Sequence, residues 1–317
     1  MVIVLLASGL GLLFLPGLTR RSGRALRPDE WSRLCLLAIA AGGLVVEVAV
    51  ILYAAPTVAT ALHVPMVAEL CRRMLGDLTP GGATAGWTAA AAAVMVPAMG
   101  AWGQVHSRQS TRALRVERCL GRHTRSGAHE LVVLPTPQLV AVAVPGADRR
   151  AEHGQIVVSD GLVDVLEPAE LDAVVRHEAA HLRHGHHRYL AAAVIVDHAF
   201  AWLPGARRST ATLRVALERW ADEEAATDNA DREVLRGALL AVTASLVAAP
   251  GVAAFSAADT IVERLDALDA EAPEPRRVTH ALLYCPGAVL GTVAVGAMVS
   301  WAAGAGTVLA MAGQCMR

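Results

Sequence analysis

Residues 34–55, LCLLAIAAGGLVVEVAVILYAA, form the apolar run that most restricts how this chain can fold. At 1.5 Å per residue, a helix of this length crosses the hydrocarbon layer of a bilayer, which is about 30 Å thick. Hydrophobic residues make up 54% of the chain, yet charged residues are frequent in its middle. We therefore expect membrane spans around one water-facing domain.

Three further apolar segments have a similar character. Residues 2–18 are followed by an arginine-rich stretch instead of being preceded by one, which favours a retained span over a secretory signal. Residues 87–105 are alanine-rich with aromatic residues near both ends, and residues 281–312 are a fourth apolar segment. Glu47, inside the second run, would have to face a partner or a cavity. The predicted organisation has three membrane helices in 1–105, a soluble domain in 106–279, and a fourth span with a short tail in 280–317.

The arginine distribution predicts the orientation of these spans. The loop between the first two spans contains Arg20, Arg21, Arg24, Arg27 and Arg33, whereas the loop between the second and third contains only Arg72 and Arg73. After the third span come Arg108, Arg112, Arg115, Arg118, Arg122 and Arg125. The positive-inside rule then places both termini outside and the 106–279 domain in the cytoplasm, as in a multi-pass protein of the cell membrane.

The second arginine group has successive spacings of 4, 3, 3, 4 and 3 residues. This periodicity predicts one cationic stripe on a helix that continues out of the third span. Such a stripe could hold anionic lipid head groups, each arginine contributing about 1 kcal/mol, or it could simply be a solvated helix face. The net charge of −1 offers no general case for nucleic-acid binding. The apolar runs make the lipid bilayer an expected partner.

Short apolar stretches broken by Pro, Gly and Asp predict β-strands at 130–135, 138–146 and 154–162. Residues 189–203 are too few to cross a bilayer and include Asp197 and His198. We expect them to form a helix between the soluble domain and the membrane face, with an ordinary core helix as the alternative.

A helix is predicted from Pro168, because proline suits the first turn and Glu170 suits a helix N-terminus. Within it, His177 and His181 are four residues apart, so both rings lie on one face and can reach one tetrahedral zinc ion. Glu178 lies beside them and could accept a proton as a general base. Together they form the pattern HExxH, which indicates zinc-dependent peptide hydrolysis once a third ligand is found.

The nearby histidines His184, His186 and His187 are candidates for that third ligand. The extended pattern HExxHxxGxxH would use His187 but requires glycine where His184 stands, and Gly185 comes one position late. If the helix continues, His184 lies about 4.5 Å further along the axis than His181, which is awkward for one metal ion. Alternatively, these histidines form a polar, partly basic helix end, which suits the negative end of the helix dipole at the C-terminus.

A downstream carboxylate is the favoured candidate. In the segment VALERWADEEAATD (215–228), Glu218 and Asp222 lie four residues apart on one predicted helical face. Glu218 would complete a set of two histidines and one glutamate, and Asp222 could accept a hydrogen bond from a ligand histidine. Other acidic residues crowd this helix, and most acidic side chains simply face water. The five cysteines contain no CxxC pair, and a Cys71–Cys315 bridge is conceivable if both residues lie outside the cytoplasm.

The segments GQIVVSDGLVDVL, EPAELDAVVRHEAAHLRHGH and ERWAD together resemble those of the integral-membrane gluzincin metallopeptidases, which include the CAAX prenyl protease and the heat-shock membrane protease. The predicted four-span layout is more similar to that of the sensor-transducer peptidases of β-lactam resistance. The resemblance implies that His177, His181 and Glu218 bind Zn²⁺, that Glu178 is the general base, and that Asp222 orients a ligand.

One departure limits this resemblance. The β-lactam sensors carry a penicillin-binding domain after the last span, whereas this sequence has only a few residues there, so β-lactam sensing is not expected. The predicted fold is mainly α, with four membrane helices and an α+β zincin-like domain. The predicted function is membrane-bound zinc endopeptidase activity on a cytoplasmic or membrane-near polypeptide, and the sensor group suggests a transcriptional repressor as one candidate.

Two other functions fit part of the pattern. An intramembrane protease would place HExxH within a span, and the charges around 176–188 argue against this. A membrane signalling or scaffold protein with a structural metal is the non-catalytic alternative, although a structural zinc site usually has four protein ligands.

Overall fold

The computed structural model describes residues 2–75, 82–117, 121–126, 129–146, 154–248 and 255–270. The predicted fourth span at 281–312 lies outside these residues, as does Cys315, the conceivable disulfide partner of Cys71.

Long helices dominate the N-terminal part of the chain. They are α1 (Val2–Leu18), the short α2 (Arg20–Gly23), α3 (Pro28–Ala61), α4 (Pro65–Leu75) and α5 (Gly82–Glu117). Among the described helices, Pro28–Ala61 and the segment Gly82–Ser107 are long and apolar enough to cross a membrane, and α1 is a shorter apolar helix. The predicted apolar run 2–18 coincides with α1, and those at 34–55 and 87–105 lie within α3 and α5.

Close packing of α1 on α3 depends on glycine. A Cβ atom at Gly42 would lie 2.5 Å from the backbone nitrogen of Leu13, and one at Gly9 would lie 2.9 Å from the backbone nitrogen of Val46. A Cβ atom cannot lie this close to a backbone atom. The two helices can therefore approach each other this closely only because residues 9 and 42 are glycines. These small residues let apolar helices pack by direct backbone contact.

The N-terminal helices are followed by a four-stranded sheet of β1 (Arg122–Ser126), β2 (His129–Leu134), β3 (Ala141–Val144) and β4 (Gln155–Ser159), in the order β1-β2-β4-β3. Strands β2 and β4 are parallel, whereas the β1–β2 and β3–β4 pairs are antiparallel. The last predicted strand extended to 162, but the strand ends at Ser159, whose hydroxyl accepts a hydrogen bond from the Leu162 N–H (3.2 Å) and caps α6 (Asp160–Val165).

The cationic stripe predicted over 108–125 is wrong in its second part. Helix α5 ends at Glu117, and Arg122 and Arg125 belong to β1. The arginines keep a helical spacing in the sequence beyond the end of the helix. Residues 122–126 nevertheless form a strand, because they pair with residues 129–133 of β2 in an antiparallel ladder. Arg122 forms an ion pair with Asp160 there, so it is not part of a membrane-facing helix stripe.

The remaining helices build the site. They are α7 (Pro168–Arg183), α8 (His186–Ala199), α9 (Pro204–Ala225), α10 (Asn229–Ala248) and α11 (Phe255–Asp269). Helix α7 begins where predicted, with a capping box in which the Glu170 carboxylate accepts the Glu167 N–H at 3.0 Å. Helix α8 packs against α3 and α5 as well as α9, so the segment around 189–203 lies between the apolar N-terminal helices and α9.

Helix α9 has two distinct faces. One face joins a continuous apolar core with α1, α3 and α8, in which Leu213, Leu217 and Trp220 meet Leu13 and Ile39. The other face carries Glu218 and Asp222 toward α7 and α11. The packing of α9 on the N-terminal helices therefore sets the position of these two carboxylates.

Candidate metal centre

His177 and His181 lie one turn apart on α7 and point their outer nitrogens at the same volume. The two Nε2 atoms are 3.1 Å apart, and the rings meet edge to face with centroids 4.8 Å apart. His177 is buried, with 6% of its surface exposed. The four-residue spacing of the sequence pattern thus produces a pair of converging imidazoles.

Glu218 reaches the same point from α9. Its Oε2 atom is 3.3 Å from His177 Nε2, and its Oε1 atom is 3.6 Å from His181 Nε2. Four ligand atoms about 2.0–2.2 Å from a tetrahedral zinc ion are separated from one another by roughly 3.4 Å. The three side chains therefore have the donor types and separations that such an ion requires, and they are the group of possible metal ligands found among the described residues.

Asp222 lies one turn further along α9 and contacts the other side of the His177 ring. Its Oδ1 atom is 2.9 Å from His177 Nδ1, and the side chain is almost fully buried. In the neutral form of the ring, a hydrogen on Nδ1 that faces Asp222 leaves the lone pair on Nε2. That is the tautomer in which Nε2 can bind a metal.

Arg264 of α11 is a site residue that the sequence interpretation did not identify. Its Nε and Nη2 atoms donate to the two oxygens of Asp222 at 2.8 and 2.7 Å, and its Nη1 atom is 3.2 Å from Glu218 Oε2. The guanidinium group thus holds both carboxylates of α9. Nothing in the surrounding sequence VERLDAL marks this arginine, because its partners are about 40 residues away and meet it only through tertiary packing.

The site's electrostatics follow from burial and close contacts. Burial favours the neutral form of His177, but hydrogen bonds to Asp222 and Glu218 outweigh it and raise its pKa to about 9. Burial alone would raise the pKa of Glu218, yet the contacts with His177 and Arg264 hold that pKa well below its usual range. His181 has no such carboxylate hydrogen bond, so burial and the neighbouring His177 lower its pKa to about 4.

Glu178 lies on the adjoining face of α7 and lines the same cavity. Burial raises the pKa of its carboxyl, and the nearby Glu218 carboxylate adds to that effect. The backbone N–H of Ala143 in β3 donates a hydrogen bond to the carboxylate, which partly opposes the rise. Glu178 therefore connects α7 to the sheet.

The neighbouring histidines occupy other positions. Helix α7 ends at Arg183, and Gly185 adopts a left-handed conformation with φ of 62°, so the helix does not continue through His184. His184 Nε2 lies 3.2 Å from Glu224 Oε1, and His187 lines the cavity wall. His186 is fully buried, and its Nδ1 atom is 2.8 Å from Nδ1 of His181, the nitrogen that faces away from Glu218. The structure thus brings Glu218, and none of these three histidines, into the ligand group.

The site opens into a cavity of about 460 Å³. Its walls are largely apolar, with Ala141 and Ala143 on one side and Leu235, Leu239 and Val242 of α10 on another. Strand β3 forms the edge of the described sheet beside this cavity, whereas β4, the strand directly before the α6–α7 segment, is paired on both sides. A peptide could therefore pair with β3, which presents a free edge at this end of the described sheet, but not with β4.

Comparison with known proteins agrees with this geometry. Residues 107–256 match the model of Peptidase family M48. The match covers His177, Glu178, His181, Glu218 and Asp222 and ends before Arg264. No curated protein and no solved structure matches the chain. The family match and the cluster of two histidines and a glutamate support a gluzincin-type metallopeptidase, a class that generally uses zinc.

Proposed function

We propose that this protein is a membrane-bound zinc endopeptidase that cleaves cytoplasmic or membrane-near polypeptides. The observation that carries the proposal is the convergence of His177, His181 and Glu218 beside Glu178 in one cavity. Three protein ligands leave a tetrahedral ion one open position, as catalytic zinc sites do, whereas structural sites are usually closed by four.

In this proposal each residue has a defined role. His177, His181 and Glu218 would hold the ion, and a bound zinc ion would supply Lewis-acid chemistry that lowers the pKa of water and polarises a carbonyl group. Glu178 accepts a proton from the attacking water at its carboxylate and delivers it to the amine that leaves. Burial favours this cycle, because it raises the pKa of Glu178 toward the pH at which the group must both take up and release a proton.

The cavity favours an extended polypeptide as substrate. A flexible segment can pair its backbone with β3, whose outer edge has no partner strand among the described residues. One substrate side chain would then enter the space between β3 and α10, where Leu235, Leu239 and Val242 favour an apolar group. A folded substrate would have to unfold locally to present such a segment. A transcriptional repressor remains one candidate, on the analogy with the sensor-transducer peptidases.

The N-terminal helices support attachment to a membrane. Large apolar side chains are exposed along α3 and α5, including Leu44 (64%), Trp102 (72%) and Val94 (68%). Such a surface suits lipid better than water. The bilayer is therefore a proposed partner, and no feature of the described residues calls for nucleic acid.

Contacts of the arginine-rich loop favour a cytoplasmic site. Arg20 and Arg24 both pair with Glu263 of α11, and the Arg33 guanidinium lies 5.3 Å from the centre of the Trp220 ring on α9. The loop and the candidate metal centre are therefore at the same end of the apolar helices. The positive-inside rule assigns that end to the cytoplasm.

The test is the substitution Glu178→Gln in the full-length protein, purified in detergent. We expect the variant to bind one zinc ion per chain, as measured by atomic absorption, but to lose cleavage of fluorescein-labelled casein. Glu218→Ala should lose both zinc and cleavage, because it removes a ligand. Casein cleavage that persists in Glu178→Gln would overturn the mechanism, and zinc binding without cleavage in the unsubstituted protein would favour the non-catalytic alternative.

A further inference from the structure

The turn between α7 and α8 places His186 behind His177 and His181, the two proposed metal ligands of α7. The His184 N–H bonds to the Ala180 carbonyl at 3.0 Å and the Gly185 N–H to the Leu182 carbonyl at 3.1 Å, which closes α7. Gly185 then takes its left-handed conformation, with φ of 62°. This reversal starts α8 at His186, directly against the ring of His181.

His181 and His186 contact each other through nitrogen atoms. The two Nδ1 atoms are 2.8 Å apart, which is a hydrogen-bond distance, and the rings lie nearly perpendicular at 84° with centroids 4.8 Å apart. His186 has no exposed surface. The contact therefore lies in the interior, where water does not compete for either nitrogen.

The chemistry of imidazole determines the direction of this hydrogen bond. On the proposed function, His181 binds zinc through Nε2, the nitrogen that lies 3.6 Å from Glu218 Oε1. A neutral imidazole that binds metal at Nε2 carries its hydrogen on Nδ1. Nδ1 of His181 must then donate, and Nδ1 of His186 must accept.

The surroundings of His186 hold its ring in place. The Trp220 ring packs against it at 4.7 Å between centroids, and the Tyr189 ring lies at 6.2 Å. Trp220 belongs to α9, the helix that also carries Glu218. One face of α9 therefore carries the proposed ligand Glu218, and another face carries Trp220, which packs against His186.

From this geometry we infer that His186 is a positioning residue for the metal centre, in that it fixes the tautomer and ring orientation of His181. The inference rests on the proposed function, because it takes His181 as a zinc ligand. The site then has two unlike supports: His177 donates to the Asp222 carboxylate, which Arg264 neutralises, and His181 donates to an uncharged imidazole. In this arrangement His186 is neither a metal ligand nor part of a solvated helix end.

Three substitutions test this inference in the full-length protein. His186→Leu removes the acceptor. His186→Asn keeps an acceptor close to the position of Nδ1, and His186→Gln moves it about one bond further out. His184→Asn is the matched control, because His184 lies in the same cluster and contacts the Trp220 ring at 4.6 Å but pairs with Glu224.

The readouts are zinc affinity, measured by competition with a chromophoric chelator, and the visible absorption of the Co²⁺-substituted protein. Loss of a residue that orients a metal ligand typically weakens binding about 10- to 100-fold. We expect that loss in His186→Leu, with an altered Co²⁺ spectrum. We expect His186→Asn to recover most of the affinity and His186→Gln to recover little, while His184→Asn leaves both readouts unchanged.

Different failures have different meanings. If His177→Ala abolishes zinc binding but His186→Leu binds zinc normally, the proposed metal site stands and the role of His186 is overturned. Equal affinities in the Asn and Gln variants also overturn it, and this comparison decides the matter if the Leu variant does not fold. If the unsubstituted protein binds no zinc, the proposed function fails and this inference fails with it.

Discussion

The bond between Asp222 and Arg264 offers a quantitative test of how the site is supported. Arg264 joins both oxygens of Asp222 at 2.7 and 2.8 Å, and the side chains are 4% and 13% exposed. The substitution Asp222→Asn keeps the shape of the side chain but removes its charge. The guanidinium group then remains buried without its main partner, and His177 loses its strongest acceptor.

The size of the effect follows from these contacts. Removing one partner of a buried ion pair costs about 3–5 kcal/mol. The cost should be at the lower end, about 3 kcal/mol, because Glu218 Oε2 still lies 3.2 Å from Arg264 Nη1. For a domain of this size about 1 kcal/mol corresponds to roughly 2–4 °C in melting temperature, so the metal-free variant should melt about 6–12 °C lower. Zinc affinity should fall about 10- to 100-fold in addition.

A double-mutant cycle with Arg264→Gln isolates the pair. Each single variant leaves one buried charge without its main partner, so the double variant should melt above the temperature that the summed single effects imply. Asp269→Asn is the control, because Asp269 also lies on α11 but pairs with Arg236 at the surface, where its side chain is 55% exposed. Exposed pairs contribute about 0–1 kcal/mol, so this control should melt near the unsubstituted protein. Additive effects in the cycle, within about 0.5 kcal/mol, would refute the argument that the two groups support each other.

Two further outcomes follow from single residues. In the metal-free protein His177 has a raised pKa of about 9, so below that pH zinc must displace a proton from its ring. Zinc affinity should therefore rise about tenfold per pH unit from 7 to 9 and level off above, as chelator competition can measure, and an affinity independent of pH would contradict the assignment. Gly185→Ala forces a side chain into the left-handed region at φ of 62°, which costs about 1–2 kcal/mol. The Gly185→Ala variant should melt a few degrees lower than the unsubstituted protein. Ala179→Gly, within α7, serves as a comparison with an ordinary helix substitution. A Gly185→Ala melting point equal to that of the unsubstituted protein would show that the turn is not strained.

The parts of the site that the sequence predicted are those encoded by local spacing. His177 and His181 converge because a helix places residues four apart on one face, and the proline and glutamate at 168 and 170 mark where that helix begins. Glu218 and Asp222 were recognisable for the same reason. The helical repeat places each pair on one face, but only the HExxH pattern and the family resemblance distinguish Glu218 and Asp222 from the other acidic residues of that segment.

The parts that could not be predicted depend on contacts between distant segments. Arg264 has no local signature, since its role exists only because α11 packs beside α9. Strand β1 was misread because the arginine spacing remains helical through Arg125, and only pairing with β2 makes the segment a strand. His186 was weighed as a ligand or a helix end, whereas its position depends on the backbone angle of Gly185, which sequence spacing does not specify.

The placement of the candidate metal centre depends on the apolar N-terminal helices as well as on the segment that matches the peptidase family. Leu213, Leu217 and Trp220 of α9 are buried against α1 and α3, with Leu13 and Ile39 fully enclosed in the same core. A rotation of α9 that moved Glu218 away from His177 would have to expose part of this core, at roughly 1.5–3 kcal/mol for each large side chain returned to solvent. The packing against α1 and α3 therefore stabilises the one orientation of α9 in which Glu218 and Asp222 both face α7. Arg20 and Arg24 act in the same direction at α11, because their pairing with Glu263 fixes the residue next to Arg264.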